Sequence, residues 1–134
     1  MAQRTILVLR AGTHGMPIEQ YAEAIRERLP DYEVELARTR TEELEKIPNA
    51  TVVTSRAIDE ELLEGADDLQ LFACYSAGYE HLPLDELEAR GIAVTNGSGI
   101  HGPNMAEQVV GNLLVFSRRL DEGWRRQRDR RWQH

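Results

Sequence analysis

Three stretches of this chain combine residue types and spacings that could do chemistry. Gly97-Ser98-Gly99-Ile100-His101-Gly102 spells GxGxxG between the strand-like Ile92-Ala93-Val94-Thr95 and a long helical segment. Read literally, that is a dinucleotide-binding turn with a pyrophosphate on a helix N-terminus. Such a turn needs a second strand about 20 residues on, ending in an acid for the ribose. Helix and then an arginine-rich stretch follow instead, which argues against the literal reading. In the second stretch, Tyr75-Ser76-Ala77-Gly78-Tyr79-Glu80-His81, small residues let backbone N–H groups approach an anion as a shallow nest. An ordinary turn that needs glycine is the plainer alternative. Third, Arg56 ends Thr54-Ser55-Arg56 and could face a carboxylate bidentately, or be a simple surface arginine.

Other chemistries are poorly supported. Cys74-Tyr75-Ser76-Ala77-Gly78 approaches the GxSxG nucleophile elbow, but cysteine replaces the first glycine and no acid-then-histidine pair follows. His14, His81, His101 and His134 lack metal-ligand spacing, so no metal site is expected. Trp124-Arg125-Arg126-Gln127-Arg128-Asp129-Arg130-Arg131-Trp132 mixes basic and aromatic residues, which permits single-stranded nucleic-acid contacts. A linker or arm packing on a neighbouring domain is the preferred reading of that stretch.

The elements that must position these residues alternate in type. Strands are expected at Thr5–Leu9, Glu33–Ala37, Ala50–Thr54, Leu69–Cys74 and Ile92–Thr95. The first lacks polar alternation, as a strand buried on both faces would; the second alternates, as a half-exposed edge strand would. Between them, Pro17 opens a helix with Ile18, Tyr21, Ala22, Ile25 and Leu29 on one face, stopped by Pro30. Thr41 is expected to cap a short acidic helix and Asp59 the next; Pro83–Arg90 is a helix closed by Gly91. The alternation implies a parallel, doubly wound sheet whose ligands bind beyond the carboxyl ends of its strands. Residues 10–16, 54–58, 75–82 and 96–104 are the loops there. A last helix, from Pro103 to about Leu120, is apolar nearly all round, so it should pack against something beyond the sheet or lie central to the core.

Composition narrows the setting. The 134 residues suit one α/β domain with a real core, and 41% hydrophobic content suits a soluble chain. The apolar start is closed by Arg10 and Gly12, so neither a signal peptide nor a membrane span is expected. Cys74 is the only cysteine, which rules out an internal disulfide and fits a cytoplasmic setting. Residues 1–117 hold nine basic and 20 acidic side chains, whereas 118–134 hold seven and three. Lys46 is the only lysine. Acid excess with arginine in place of lysine suggests a halophilic protein, though an ordinary acidic one could look similar. An acidic body argues against nucleic acid as the main partner.

Three blocks then carry a resemblance. Leu71-Phe72-Ala73-Cys74-Tyr75-Ser76-Ala77-Gly78-Tyr79-Glu80-His81-Leu82, Glu88-Ala89-Arg90-Gly91-Ile92-Ala93-Val94-Thr95-Asn96, and Asn104-Met105-Ala106-Glu107 occur in the order and spacing of one family. The chain resembles the substrate domain of the NAD(P)-dependent D-2-hydroxyacid dehydrogenases over essentially its whole length. The resemblance implies a flavodoxin-like five-stranded parallel sheet with helices on both faces and a long crossover helix. The domains would be 1–102 for substrate binding, 103–120 for the crossover, and 121–134 as a basic linker towards a Rossmann cofactor domain. It further implies that Ala77 and Gly78 N–H groups hold the substrate carboxylate, with Arg56, Tyr75 and Ser76 lining the pocket. Asn104 and Met105 would border the nicotinamide end of the cleft, next to the loop Gly97–Gly102.

In that family the catalytic histidine, its paired acid and a carboxylate-binding arginine belong to segments following this chain's end. None of the four histidines here matches that histidine, so no catalytic residue is expected in the chain. A truncated substrate domain follows as an expectation: inactive alone, with no cofactor held tightly, while the intact enzyme reduces 2-keto acids to D-2-hydroxy acids with NAD or NADP. The crossover helix would meet a partner subunit in a homodimer. Glu80 stands where aspartate is usual, Met105 where valine is usual, and Gly97-Ser98-Gly99 varies on Pro-Gly, leaving substrate preference open. The alternative is a stand-alone flavodoxin-like binding or signalling module. Against it, Arg10-Ala11-Gly12 and Thr95-Asn96-Gly97 lack the acids and lysine of a phospho-receiver, and no hydroxyl-rich phosphate loop follows the first strand.

Overall fold

A computed structural model describes residues 4–12 and 15–132. His14 and His134, and part of the 10–16 loop, lie outside the described residues. The chain divides into two compact units, Met1–Ser98 and Gly99–His134.

The first unit is a five-stranded, all-parallel sheet: β1 (Thr5–Val8), β2 (Glu33–Leu36), β3 (Val52–Ser55), β4 (Leu71–Cys74) and β5 (Ala93–Thr95), in the order β2-β1-β3-β4-β5. Helices α1 (Ile18–Arg28), α2 (Arg40–Lys46), α3 (Glu60–Glu64) and α4 (Leu84–Ala89) connect the strands. Side chains alternate across each strand, so β1 feeds two cores. Ile6 and Val8 join Ala22, Val34 and Leu36 beneath α1. Leu7 and Leu9 join Val53, Phe72, Leu62, Leu63 and Leu87 on the other face. An apolar run without alternation is what a strand covered on both faces requires. At the edge, β2 alternates Glu33 and Glu35 with buried Val34 and Leu36, and the Arg26 guanidinium covers it by donating to the Val34 carbonyl.

Helix ends follow local chemistry. The α2 cap is Thr39 rather than the expected Thr41: Thr39 is extended, and its hydroxyl accepts the Glu42 N–H at 3.2 Å. Asp59 caps α3 as expected, accepting the Leu62 N–H at 3.0 Å. Gly91 ends α4 with φ +70°, a left-handed turn that glycine adopts without penalty.

The second unit holds α5 (Gly102–Arg118) and α6 (Leu120–Arg128), separated by Arg119 in the left-handed conformation. The stretch expected as a basic linker is therefore helical over 120–128. It is braced by Arg119–Glu122 and Arg126–Glu122 pairs and an Arg125–Asp121 pair one turn apart. No residue of α5 is buried: Met105, Val109, Leu113 and Phe116 are 63%, 65%, 64% and 81% exposed.

Candidate functional site

Parallel topology brings the loops after β1, β3, β4 and β5 to one edge of the sheet. The loop after β4 is the one most tightly specified there. The Asn96 side-chain amide donates to the Ala77 carbonyl at 2.7 Å and to the Ser98 hydroxyl at 2.9 Å. The Gly97 N–H donates to the Ser76 carbonyl at 2.8 Å. Both carbonyls are thus tied to the segment after β5.

That tie sets the direction of the N–H groups. The Ser76 carbonyl shares a peptide plane with the Ala77 N–H, and the Ala77 carbonyl with the Gly78 N–H. All described peptides are trans, so each N–H points opposite its carbonyl. The Ala77 and Gly78 N–H groups therefore point away from the β5 segment, and among the described residues no acceptor meets either. The next one, the Tyr79 N–H, is taken by the Glu80 carboxylate at 3.0 Å. Gly78 does not need a positive φ; a β-carbon there would instead lie 3.0 Å from Glu80 Oε2. Turn geometry therefore does not demand glycine here, and the one close neighbour is the tip of the Glu80 side chain.

Arg56 leaves the end of β3 exposed, with its backbone held from the β4 side. Its carbonyl accepts the Cys74 thiol at 3.4 Å and His81 Nε2 at 2.7 Å, which fixes the Nε2–H tautomer of His81. Among the described residues no carboxylate pairs with the Arg56 guanidinium. Tyr75 lies half-buried beside it. Burial pushes the Tyr75 hydroxyl above its ordinary pKa, against the opposing pull of the Arg56 backbone and charge. Arg56, Tyr75, Ser76, Ala77 and Gly78 therefore occupy the adjacent β3 and β4 loops.

Asn104 and Met105 lie exposed in the first turn of α5, in the second unit. The Gly97–Gly102 stretch leads from β5 into α5. The Gly97 N–H is already bonded to Ser76, and β5 is the last strand among the described residues. Local sequence does not mark Asn96, His81 and Cys74 as site residues, because each acts on a backbone carbonyl distant in sequence. An asparagine at a strand's carboxyl end was the one available signal.

With that geometry in view, the comparisons decide the family. Residues 6–118 match the D-isomer specific 2-hydroxyacid dehydrogenase family, catalytic domain. The chain belongs to that family. It is 37% identical over 100 residues to a glyoxylate reductase of Thermococcus litoralis, covering 68% of this chain and 30% of the relative. The PH0520 protein of Pyrococcus horikoshii superposes with a TM-score of 0.68 at 26% identity, covering 98% of this chain and 39% of that one. A D-lactate dehydrogenase of Aquifex aeolicus, solved with NAD and lactic acid, shares the fold at 21% identity and TM-score 0.69, over 96% of this chain and 38% of its own. The chain thus spans 30% of the length of the glyoxylate reductase relative. No helix among the described residues is long and apolar enough to cross a membrane.

Proposed function

We propose that this chain is the acid-binding part of an oxidoreductase that reduces small 2-keto acids to D-2-hydroxy acids. One observation carries the reading: the adjacent Ala77 and Gly78 N–H groups are aimed outward by Asn96 and Gly97 and lack acceptors among the described residues. Two neighbouring N–H donors suit a carboxylate, and the Arg56 cation beside them adds a charge-assisted bond. Tyr75 and Ser76 border the same pocket. The open Arg56 guanidinium, with no described carboxylate partner, supports an anionic ligand rather than a structural ion pair.

In this reading NAD or NADP supplies the hydride in the intact protein, with Asn104 and Met105 towards its nicotinamide end. The glycine stretch 97–102 does not hold the dinucleotide, and the residues of this chain carry no step of the hydride transfer. What they do is bind and orient the acid. The chain alone neither turns over nor holds the cofactor tightly. It acts in the cytoplasm, as a homodimer; the exposed apolar residues of α5 support self-association.

Glyoxylate titrated into the isotope-labelled chain is expected to shift the Ala77 and Gly78 amides first. Arg56→Met should weaken that binding about tenfold, and NADH with glyoxylate should give no oxidation above background. Saturable binding that leaves both amides unmoved would sink this assignment.

A further inference from the structure

In a sheet of this order the strand connections reverse direction between β1 and β3, and the crevice outside that reversal is where such sheets usually take a ligand. Here that crevice is occupied by the protein's own side chains. Tyr75 leaves β4 and reaches past the end of β3 to the loop after β1. There its hydroxyl donates to the Ala11 carbonyl at 2.7 Å and lies 3.1 Å from the Gly12 carbonyl. Tyr21 of α1 stands edge-on to its ring, with centroids 5.9 Å apart at 74°. The Tyr21 hydroxyl is in turn bonded to the buried Thr54 hydroxyl of β3 at 2.9 Å. The same loop is also held at Arg10. The carboxylate of Glu43, itself 3% exposed, accepts the Arg10 N–H at 3.0 Å and Arg10 Nε at 3.1 Å.

We infer that Tyr75 is a positioning residue: its hydroxyl seals the β1–β3 crevice and fixes Arg10–Gly12 as a wall of the acid site, so it holds the loop rather than the ligand. The inference rests on the acid site proposed above. A phenol has one proton, and the Ala11 and Gly12 carbonyls take it, which leaves the hydroxyl no donor for a carboxylate. The keto acid is thereby confined to the Ala77–Gly78 side. A phosphate or flavin seated outside β1 and β3, as the binding-module alternative requires, would have to displace both tyrosines.

The test compares the parent chain with Tyr75→Phe, which keeps the ring and removes the hydroxyl. Nitrogen relaxation should show the backbone order parameters of Ala11 and Gly12 falling from about 0.85 to about 0.6. Those of Leu7, Val53 and Phe72, inside the core, should stay put and report that the fold is intact. The glyoxylate dissociation constant should rise about three- to tenfold, while the Ala77 and Gly78 amides still shift on saturation. Unchanged order at Ala11 and Gly12 would overturn the inference, whether or not affinity falls. Lost affinity with an unchanged loop would mean that Tyr75 touches the acid directly. If glyoxylate fails to move Ala77 and Gly78 in the parent chain, the acid site itself is wrong. The order parameters would still say whether the hydroxyl holds the loop. Should Tyr75→Phe disturb the core residues, Tyr21→Phe provides a second variant, expected to loosen the same loop less.

Discussion

Phe72 and Phe116 are the two phenylalanines of the chain, and they have opposite fates. Phe72 sits in β4 with no exposed surface, in the core it shares with Leu7, Val53, Leu62, Leu63 and Leu87. Phe116, in α5, is 81% exposed, in company with Val109, Leu113 and Leu114. Local sequence does not separate them: both lie in apolar segments that argue for burial. The sheet unit contains its own covering helices, each within a few residues of the strand it protects. A single helix pair offers too little facing surface to bury an all-round apolar helix. Apolarity states a need for a partner, and topology decides whether the same unit supplies it.

The largest test of that contrast is a pair of truncations. Phe72→Ala should cost about 3–5 kcal/mol, because a closed core cannot collapse around the missing ring. Leu113→Ala on α5 should stay within about 0.5 kcal/mol in chemical denaturation of dilute chain. A large loss from Leu113→Ala at high concentration alone would sharpen the picture, by showing that a second copy buries α5. Sedimentation of a Val109→Asp, Leu113→Asp double variant would then lose the associated species.

Polar burial is the next level of the comparison. Glu43 carries a buried carboxylate held by Arg10 and, at 3.5 Å, by Arg40. Arg40 also reaches Asp59 at 2.8 Å and Glu61, so one guanidinium ties α2 to the start of α3. Glu43→Gln should lower stability by about 1–3 kcal/mol, since it weakens a charge-assisted bond without leaving a hole. The exposed pairs of α6 differ. Glu122→Gln should change stability by less than about 1 kcal/mol, because water screens both partners.

The smallest effect is one of pH. Burial alone would raise the Asp59 pKa, but the Arg40 guanidinium and the Leu62 N–H outweigh it and hold the carboxyl below its ordinary value. A depressed folded pKa contributes stability above the unfolded value, near 3.9, and loses it as pH falls through the folded one. Unfolding midpoints should therefore drop below about pH 4, and Asp59→Asn should flatten that limb. An unchanged acid limb in Asp59→Asn would show that the Arg40 contact does not hold in solution.

Much of this was legible in the residues themselves. The β-branched and leucine runs at 5–9 and 50–54, the Asp59 cap and the Gly91 stop are local signals, and each element formed near its expected bounds. Thr39 and Thr41 are chemically alike, and only backbone conformation makes Thr39 the cap. The arginine-rich composition of 120–128 conceals a helix in which arginines pair with acids three and four residues away. Ala77 and Gly78 could be suspected from small residues after a strand. Their orientation could not, since it depends on Asn96 and Gly97, about twenty residues later.

By itself, then, the sequence determined the elements, their alternation and the parallel sheet, because side-chain periodicity and capping act within a few residues. It also carried the family resemblance in three spaced blocks. Tertiary structure alone decided which N–H groups stand open, that Tyr75 reaches across β3 to Ala11, and that α5 finds no cover within its own unit. Those outcomes depend on contacts between residues far apart in the chain, which exist only once the sheet has set the order of its strands.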